Sequence, residues 1–190
     1  LKIIQFNNEK QLIKKAIQNN RDAQRRLFEL YSPKMLSVCR YYIKDVHQAE
    51  EAMCNGFLKV FTHLSSFKSE GSFEGWIRRI MMRESISYLR TVKKLHFSED
   101  GEFESGAVLN DADEAMDVEH IQRLIDSLPE GYRIVFVMYA IEGYKHREIA
   151  EILGIAESTS KSQLFKARKL LQTKLNALNE LHNGTDEVRR

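Results

Sequence analysis

Apolar residues recur at helical spacing along most of this 190-residue chain, and alternating strand-like runs are lacking. The first pattern, over 9–18, turns Leu12, Ile13, Ala16 and Ile17 inward. Asn20 is the expected N-cap of a second helix, whose stripe is Ala23, Leu27, Leu30, Tyr31, Met35, Val38 and Tyr42, with a kink expected at Pro33. Asp45 and Gln48 resemble a capping box opening a third helix, which buries Ala49, Met53, Phe57, Val60 and Leu64. The polar loop SSFKSEGS follows. A fourth helix then starts at Phe73 or Glu74, with Ile77, Ile80, Met81 and Tyr88 on one side. Periodicity stops after the fourth helix. It resumes with a helix over 116–127 and another opened by Pro129, strongly apolar through Ile134, Val135, Val137, Met138 and Ile141 and closed by Gly143.

The last pattern has a distinctive form. A short helix, 147–153, carries Ile149, Ala150, Ile152 and Leu153. Gly154 stands at its end, where a left-handed stop is needed, and a longer helix begins near Ala156. Two helices joined by a tight glycine turn describe a helix-turn-helix. At about 100° per residue, Ser160, Leu164, Ala167 and Leu171 share the inner face of the second helix. Ser158, Lys161, Ser162, Phe165 and Lys169 lie opposite, flanked by Lys166 and Arg168. Hydroxyls, cations and one aromatic suit phosphates, base edges and thymine methyls. The fourth helix has a second basic face: Trp76, Arg79, Arg83, Ser87 and Arg90 fall within a narrow arc, and Lys93 and Lys94 extend it. A tryptophan beside an arginine stripe can stack on unpaired bases while the cations hold phosphates. The plainer reading of both faces is a solvated basic surface.

Charge changes the picture through its distribution. Net charge is only +2, yet residues 98–119 contain no Lys or Arg and nine acidic residues. With Gly101 and Gly106 and no apolar period up to about Asn110, this reads as a linker between two helical domains. Two prolines and nine glycines argue against a turn-rich β fold. Cys39 and Cys54 form no CxxC pair and read as buried apolar residues of a reduced, cytoplasmic protein. The six histidines have no metal-ligand spacing. No Gly-rich phosphate loop or nucleophile–base pair is present, so neither a metal, a cofactor nor an enzyme is expected. No apolar run is long enough for membrane insertion, and the first ten residues are too polar for a signal peptide.

Three runs carry a family resemblance: AEEAMCNGFLKVFTHLSSFKSEGSFEGWIRRI, LPEGYRIVFVM and REIAEILGIAESTSKSQLFKARKLL. Their order and spacing about an acidic linker resemble the extracytoplasmic-function (ECF) sigma factors, two-domain RNA polymerase initiation factors of the sigma-70 superfamily. The resemblance implies an all-α chain: a four-helix region 2 over 1–95, a linker over 96–115, a helix-turn-helix region 4 over 116–182 and a disordered tail over 183–190. It implies docking on the large-subunit clamp helices of core RNA polymerase through Glu50, Glu51, Asn55, Phe57, Lys59 and Val60, with a further contact on the flap. Residues 67–72, including Phe67, Lys68 and Ser69, resemble a loop that captures a flipped −10 base. Trp76, Arg79, Arg83, Ser87 and Arg90 stand where region 2 meets melting promoter DNA. Ser158, Lys161, Ser162, Phe165, Lys166, Arg168 and Lys169 match positions that read or clamp the −35 element. The family also implies sequestration by an anti-sigma factor.

The chain departs from the family pattern at several points. Cys54, Asn55 and Gly56 stand where Gln-Glu usually precedes the docking Phe. Arg83 and Ser87 replace family Asn or Asp positions. Ala156 replaces a serine N-cap, at about 1 kcal/mol of local stability. Gln163 replaces a common Arg, removing one phosphate contact. Alternative readings are a stand-alone helix-turn-helix regulator and a helical protein-interaction adaptor. The first leaves the Trp76 face without a purpose.

Overall fold

The computed structural model describes residues 2–93 and 118–187. The predicted linker, 96–115, lies outside the described residues, as do 188–190. Every regular element among the described residues is helical, as the apolar periods predict. The chain divides into two compact units, one within 1–94 and the other within 95–190.

The first unit packs four helices: α1 (Lys2–Ile17), α2 (Arg21–Tyr42), α3 (Val46–Thr62) and α4 (Phe73–Lys93), with a 3-10 turn at Leu64–Ser66. Helix α1 begins at Lys2, seven residues earlier than the apolar period predicts; extending an existing helix costs far less than starting one. Asn20 caps α2 by accepting from the Ala23 N–H at 2.9 Å. Asp45 does the same for α3, accepting from the Gln48 N–H at 2.9 Å. Pro33 does not divide α2, which runs unbroken through it. Pro33 itself is exposed, and buried Tyr31 and Met35 keep the helix seated on either side. Ser72 caps α4, its Oγ accepting from the Gly75 N–H at 3.0 Å. The core joins Leu27, Met35, Val38 and Tyr42 of α2 to Ala49, Phe57 and Val60 of α3 and Ile77, Met81, Met82 and Leu89 of α4. Tyr88 and Ile80, expected inside, are only half-buried; Met82, Ser85, Ile86 and Leu89 take the inner positions.

The second unit contains α5 (Val118–Asp126), α6 (Glu130–Phe136), a π turn at Val137–Ile141, α7 (His146–Leu153) and α8 (Glu157–Glu187). Pro129 sits at the N-cap of α6, one position before the first helical residue expected for it. The apolar run to Ile141 is not one uniform helix. Its last turn widens, with the Glu142 N–H bonding the Val137 carbonyl at 3.0 Å and the Tyr144 N–H the Met138 carbonyl at 2.9 Å. Gly143 follows at φ 77°. Leu128, Tyr132 and Ala167 form a buried nucleus, with Phe136, Leu170 and Leu171 packed against it. The Arg133 guanidinium is buried in this unit and held by Glu130 at 3.4 Å. Helix α8 extends through 183–187, which polar composition marks as a disordered tail. Propagating an existing helix costs far less than starting one, so modest helix formers suffice there.

Candidate nucleic-acid interface

The helix-turn-helix is built as its glycine predicts. Gly154 adopts φ 69° and ψ 37°, and its N–H closes α7 on the Ala150 carbonyl at 2.8 Å. The Ile155 N–H bonds the same carbonyl at 3.1 Å. At the other end of α7, Glu148 accepts from the Lys145 N–H at 2.8 Å, so a carboxylate sits in the positive first turn. Ile149 and Leu153 of α7 and Ser160, Leu164 and Ala167 of α8 are buried, which fixes the rotation of α8 about its axis.

That rotation turns Ser158, Lys161, Phe165, Arg168 and Lys169 outward and leaves Ser162 and Lys166 half-buried at the margins. Phe165 is 69% exposed, although an aromatic ring gains most when buried. Lys161 is partly neutralised by Glu157 at 2.7 Å. Arg168 places its guanidinium over the Tyr139 ring, 5.5 Å from the centroid. Gln163 is buried against the unit's core, so the Arg-to-Gln departure there is a packing feature and not a lost surface contact.

In the first unit the basic stripe on α4 is exposed at Arg79, Arg83, Ser87 and Arg90, with Trp76 half-buried at its start. Trp76 belongs to an aromatic cluster. Its ring lies 5.5 Å from Phe67 and 5.8 Å from Phe73, nearly parallel to the latter at 19°, and Phe67 meets Phe73 edge-on at 5.1 Å. Residues 67–72 therefore hang from a half-buried Phe67. Lys68 and Ser69 are exposed, and Ser69 (φ 58°) and Gly71 (φ 96°) take left-handed backbone to make the turn.

Beside Trp76 lies a cavity of about 340 Å³, lined by Lys59, His63, Ser66, Trp76, Ile80, Arg83 and Glu84. Lys59 forms an ion pair with Glu84 across its wall. The His63 Nδ1–H donates to the Lys59 carbonyl at 3.0 Å, which fixes the ring against the end of α3. His63 and Ser66 have no place in the sequence-derived site. The spacing of His63, one turn after Lys59, is the signal that places it there.

The six predicted docking residues do not form one surface. Phe57 and Val60 are buried, at 3% and 1% exposure, because both point from α3 into the core. They position α3 and cannot themselves touch a partner. Lys59 leans toward α4 and its Glu84. Glu50 and Glu51 are exposed, Asn55 is half-buried, and Cys54 and Leu58 lie on the same outer side of α3. Leu58, 67% exposed, is the residue that side adds; a helical wheel centred on Glu51 and Cys54 contains it.

Two helical units, one of them ending in a helix-turn-helix, define an all-α DNA-binding protein. The sequence matches the family model for sigma-70 region 2 over residues 27–95 and that for sigma-70 region 4 over residues 119–171. It is 27% identical over 183 residues to the ECF RNA polymerase sigma factor SigW of Bacillus subtilis, covering 89% of this chain and 97% of that one. It is 25% identical over 180 residues to the ECF RNA polymerase sigma-E factor of Haemophilus influenzae, covering 88% and 95%. In fold it is similar to CnrH, solved in complex with the cytosolic domain of CnrY, at 19% identity and TM-score 0.50 over 87% of this chain and 96% of that one. It is also similar in fold to the sigma factor RpoE of Bartonella quintana, solved with the anti-sigma factor NepR, at 19% identity and TM-score 0.52 over 80% and 96%. The chain belongs to the sigma-70 family, in its ECF group, and directs transcription initiation with RNA polymerase at promoter DNA. Among the described residues no helix is long and apolar enough to cross a membrane.

Proposed function

We propose that the chain acts as a non-catalytic, cytoplasmic initiation factor with two DNA-reading surfaces and one polymerase-docking surface. The outer face of α8 enters the major groove of the −35 element, with Phe165 on a thymine methyl or base edge and Lys161, Lys166, Arg168 and Lys169 on phosphates and guanine edges; Ser158 and Ser162 add hydroxyl contacts. The α4 stripe tracks the −10 strand, and one unpaired base enters the cavity beside Trp76. Stacking there contributes about 1–3 kcal/mol per base, which offsets the few kcal/mol of flipping it from the duplex. Opening then requires no nucleotide hydrolysis. Glu50, Glu51, Asn55 and Leu58 meet the clamp helices of core polymerase, and region 4 meets the flap. The domain limits are 1–95 and 116–182, joined by 96–115. Fully extended, those twenty residues reach roughly 65–70 Å, comparable to two turns of duplex between the elements.

The observation that carries this reading is the exposed Phe165 at the centre of a cation- and hydroxyl-bearing helix face. Two proteins similar in fold have been solved with partners, one with the anti-sigma factor NepR and the other with the cytosolic domain of CnrY, which supports an inhibitory partner for this chain as well. The test is reconstitution with core polymerase on a library of promoter fragments, followed by sequencing of the transcripts. Transcripts starting at a fixed distance downstream of paired −35 and −10 motifs support it. Transcription independent of this chain on every fragment overturns it.

A further inference from the structure

The π turn carries a group of side chains that the DNA-reading face leaves unexplained. Its Tyr139 ring stacks on His146, the first residue of α7, with centroids 4.7 Å apart and planes at 25°. His146 in turn meets the Oγ of Ser160 through Nδ1 at 3.0 Å. Ser160 is fully buried in the first turns of α8. Tyr139 also lies under the Arg168 guanidinium at 5.5 Å. The contacts form a closed circuit that leaves α8 at Ser160, passes through α7 and the π turn, and returns to α8 at Arg168, two turns further on. A π turn inserts one extra residue per ring and so re-aims the side chains it carries, here keeping Tyr139 partly exposed at 36%.

We propose that Tyr139, braced by His146, is a positioning residue that holds the Arg168 guanidinium ready for a DNA phosphate. The inference rests on the reading of α8 as the duplex-binding helix. A free arginine side chain loses much rotamer entropy when it binds, and a guanidinium held over a ring has lost part of it beforehand. A cation–π contact draws the guanidinium to the ring without occupying its five N–H donors, which remain available for a phosphate oxygen. His146 supports the ring by stacking and is itself anchored by a hydrogen bond to the helix being positioned.

The experiment is a salt series of promoter-duplex binding by the reconstituted holoenzyme. It compares Tyr139→Ala, Tyr139→Phe, Arg168→Ala and the Ala double variant, with thermal melting of each as a folding control. Tyr139→Ala and Arg168→Ala should each weaken binding about three- to tenfold and lower the log–log salt slope by about one. Tyr139→Phe keeps the ring and should match the parent. The double variant should bind no more weakly than Arg168→Ala alone. The proposal is overturned if Tyr139→Ala leaves affinity and slope unchanged, or if the two losses multiply. A silent Arg168→Ala also overturns it. In that case Lys166→Glu separates the causes: a loss shows that α8 binds duplex without this device, and no loss shows that the α8 reading itself fails.

Discussion

Gly56 of α3 lies directly against Met81 of α4, so that a methyl group at position 56 would collide with the Met81 sulfur. Helix α3 approaches α4 closely because one carries no side chain where the other carries a long one. Gly56→Val should therefore destabilise the first unit by about 1–3 kcal/mol through overpacking, measured by urea unfolding. Combining it with Met81→Ala should recover part of that loss. If the double variant is as unstable as the sum of the two singles, the close approach is not the reason for the glycine.

Docking and DNA opening should separate on α3. Leu58→Asp should weaken the affinity for core polymerase about tenfold or more while leaving the melting temperature within a few degrees, since Leu58 is exposed. Phe57→Ala is an unsuitable probe of docking, because emptying a buried phenylalanine site costs about 3–5 kcal/mol of fold stability. Titration of fluorescently labelled protein with core enzyme checks the first expectation.

The two cysteines should differ in reactivity. Burial pushes the Cys39 thiol up to about 11, so it carries almost no thiolate at neutral pH and is also sealed in the core. Cys54, read from the sequence as buried, is instead exposed, because its place on α3 falls on the outer side with Glu51 and Leu58. Iodoacetamide at pH 7.5 should modify Cys54 alone in the native protein and both after denaturation. Mass spectrometry of tryptic peptides reads the result, and native modification of Cys39 would contradict the core described here.

His146 should make the second unit sensitive to acid. Burial lowers its affinity for a proton below the ordinary value of 6.5, and the nearby Lys161 and Arg168 act in the same direction; Glu157 opposes them. Tyr139 and Ser160 face it without charge of their own. The fold thus favours the neutral ring. Its contribution is complete above pH 6.5 and is lost as pH falls from there through the lower folded-state value. Melting of the second unit's helices should shift downward between pH 7.5 and 5, and His146→Gln should flatten that shift. An identical pH profile in both proteins would remove His146 as its source.

Much of this was legible in the chain. The αL stop at Gly154 and the inner face Ser160–Leu164–Ala167 follow from a glycine and a period, and both are local. The N-caps at Asn20 and Asp45 are equally local, each a side chain reaching three residues ahead. What the sequence concealed depends on neighbours distant along the chain. Phe57 belongs to the buried stripe of α3 by period and to the docking set by resemblance, and its burial beside Phe28 of α2 favours the period. Lys59 reads as a surface cation until Glu84, twenty-five residues on, claims it. The π turn at Val137–Ile141 is hidden because an apolar run has the same appearance in either helix type, and only the pairing of Glu142 with Val137 distinguishes them. The cavity beside Trp76 needed α3 and α4 together, so His63 escaped notice.

The central claim is that one chain binds duplex through α8 and opens it through the α4 face. Permanganate footprinting of unpaired thymines on a promoter, with core polymerase and this protein, tests it most directly. The parent protein should make thymines reactive around the −10 element. Trp76→Ala should retain promoter binding but lose most of that reactivity, whereas Lys166→Glu should lose binding and reactivity together. Full reactivity in Trp76→Ala, or opening by core polymerase alone to the same extent, would contradict the account.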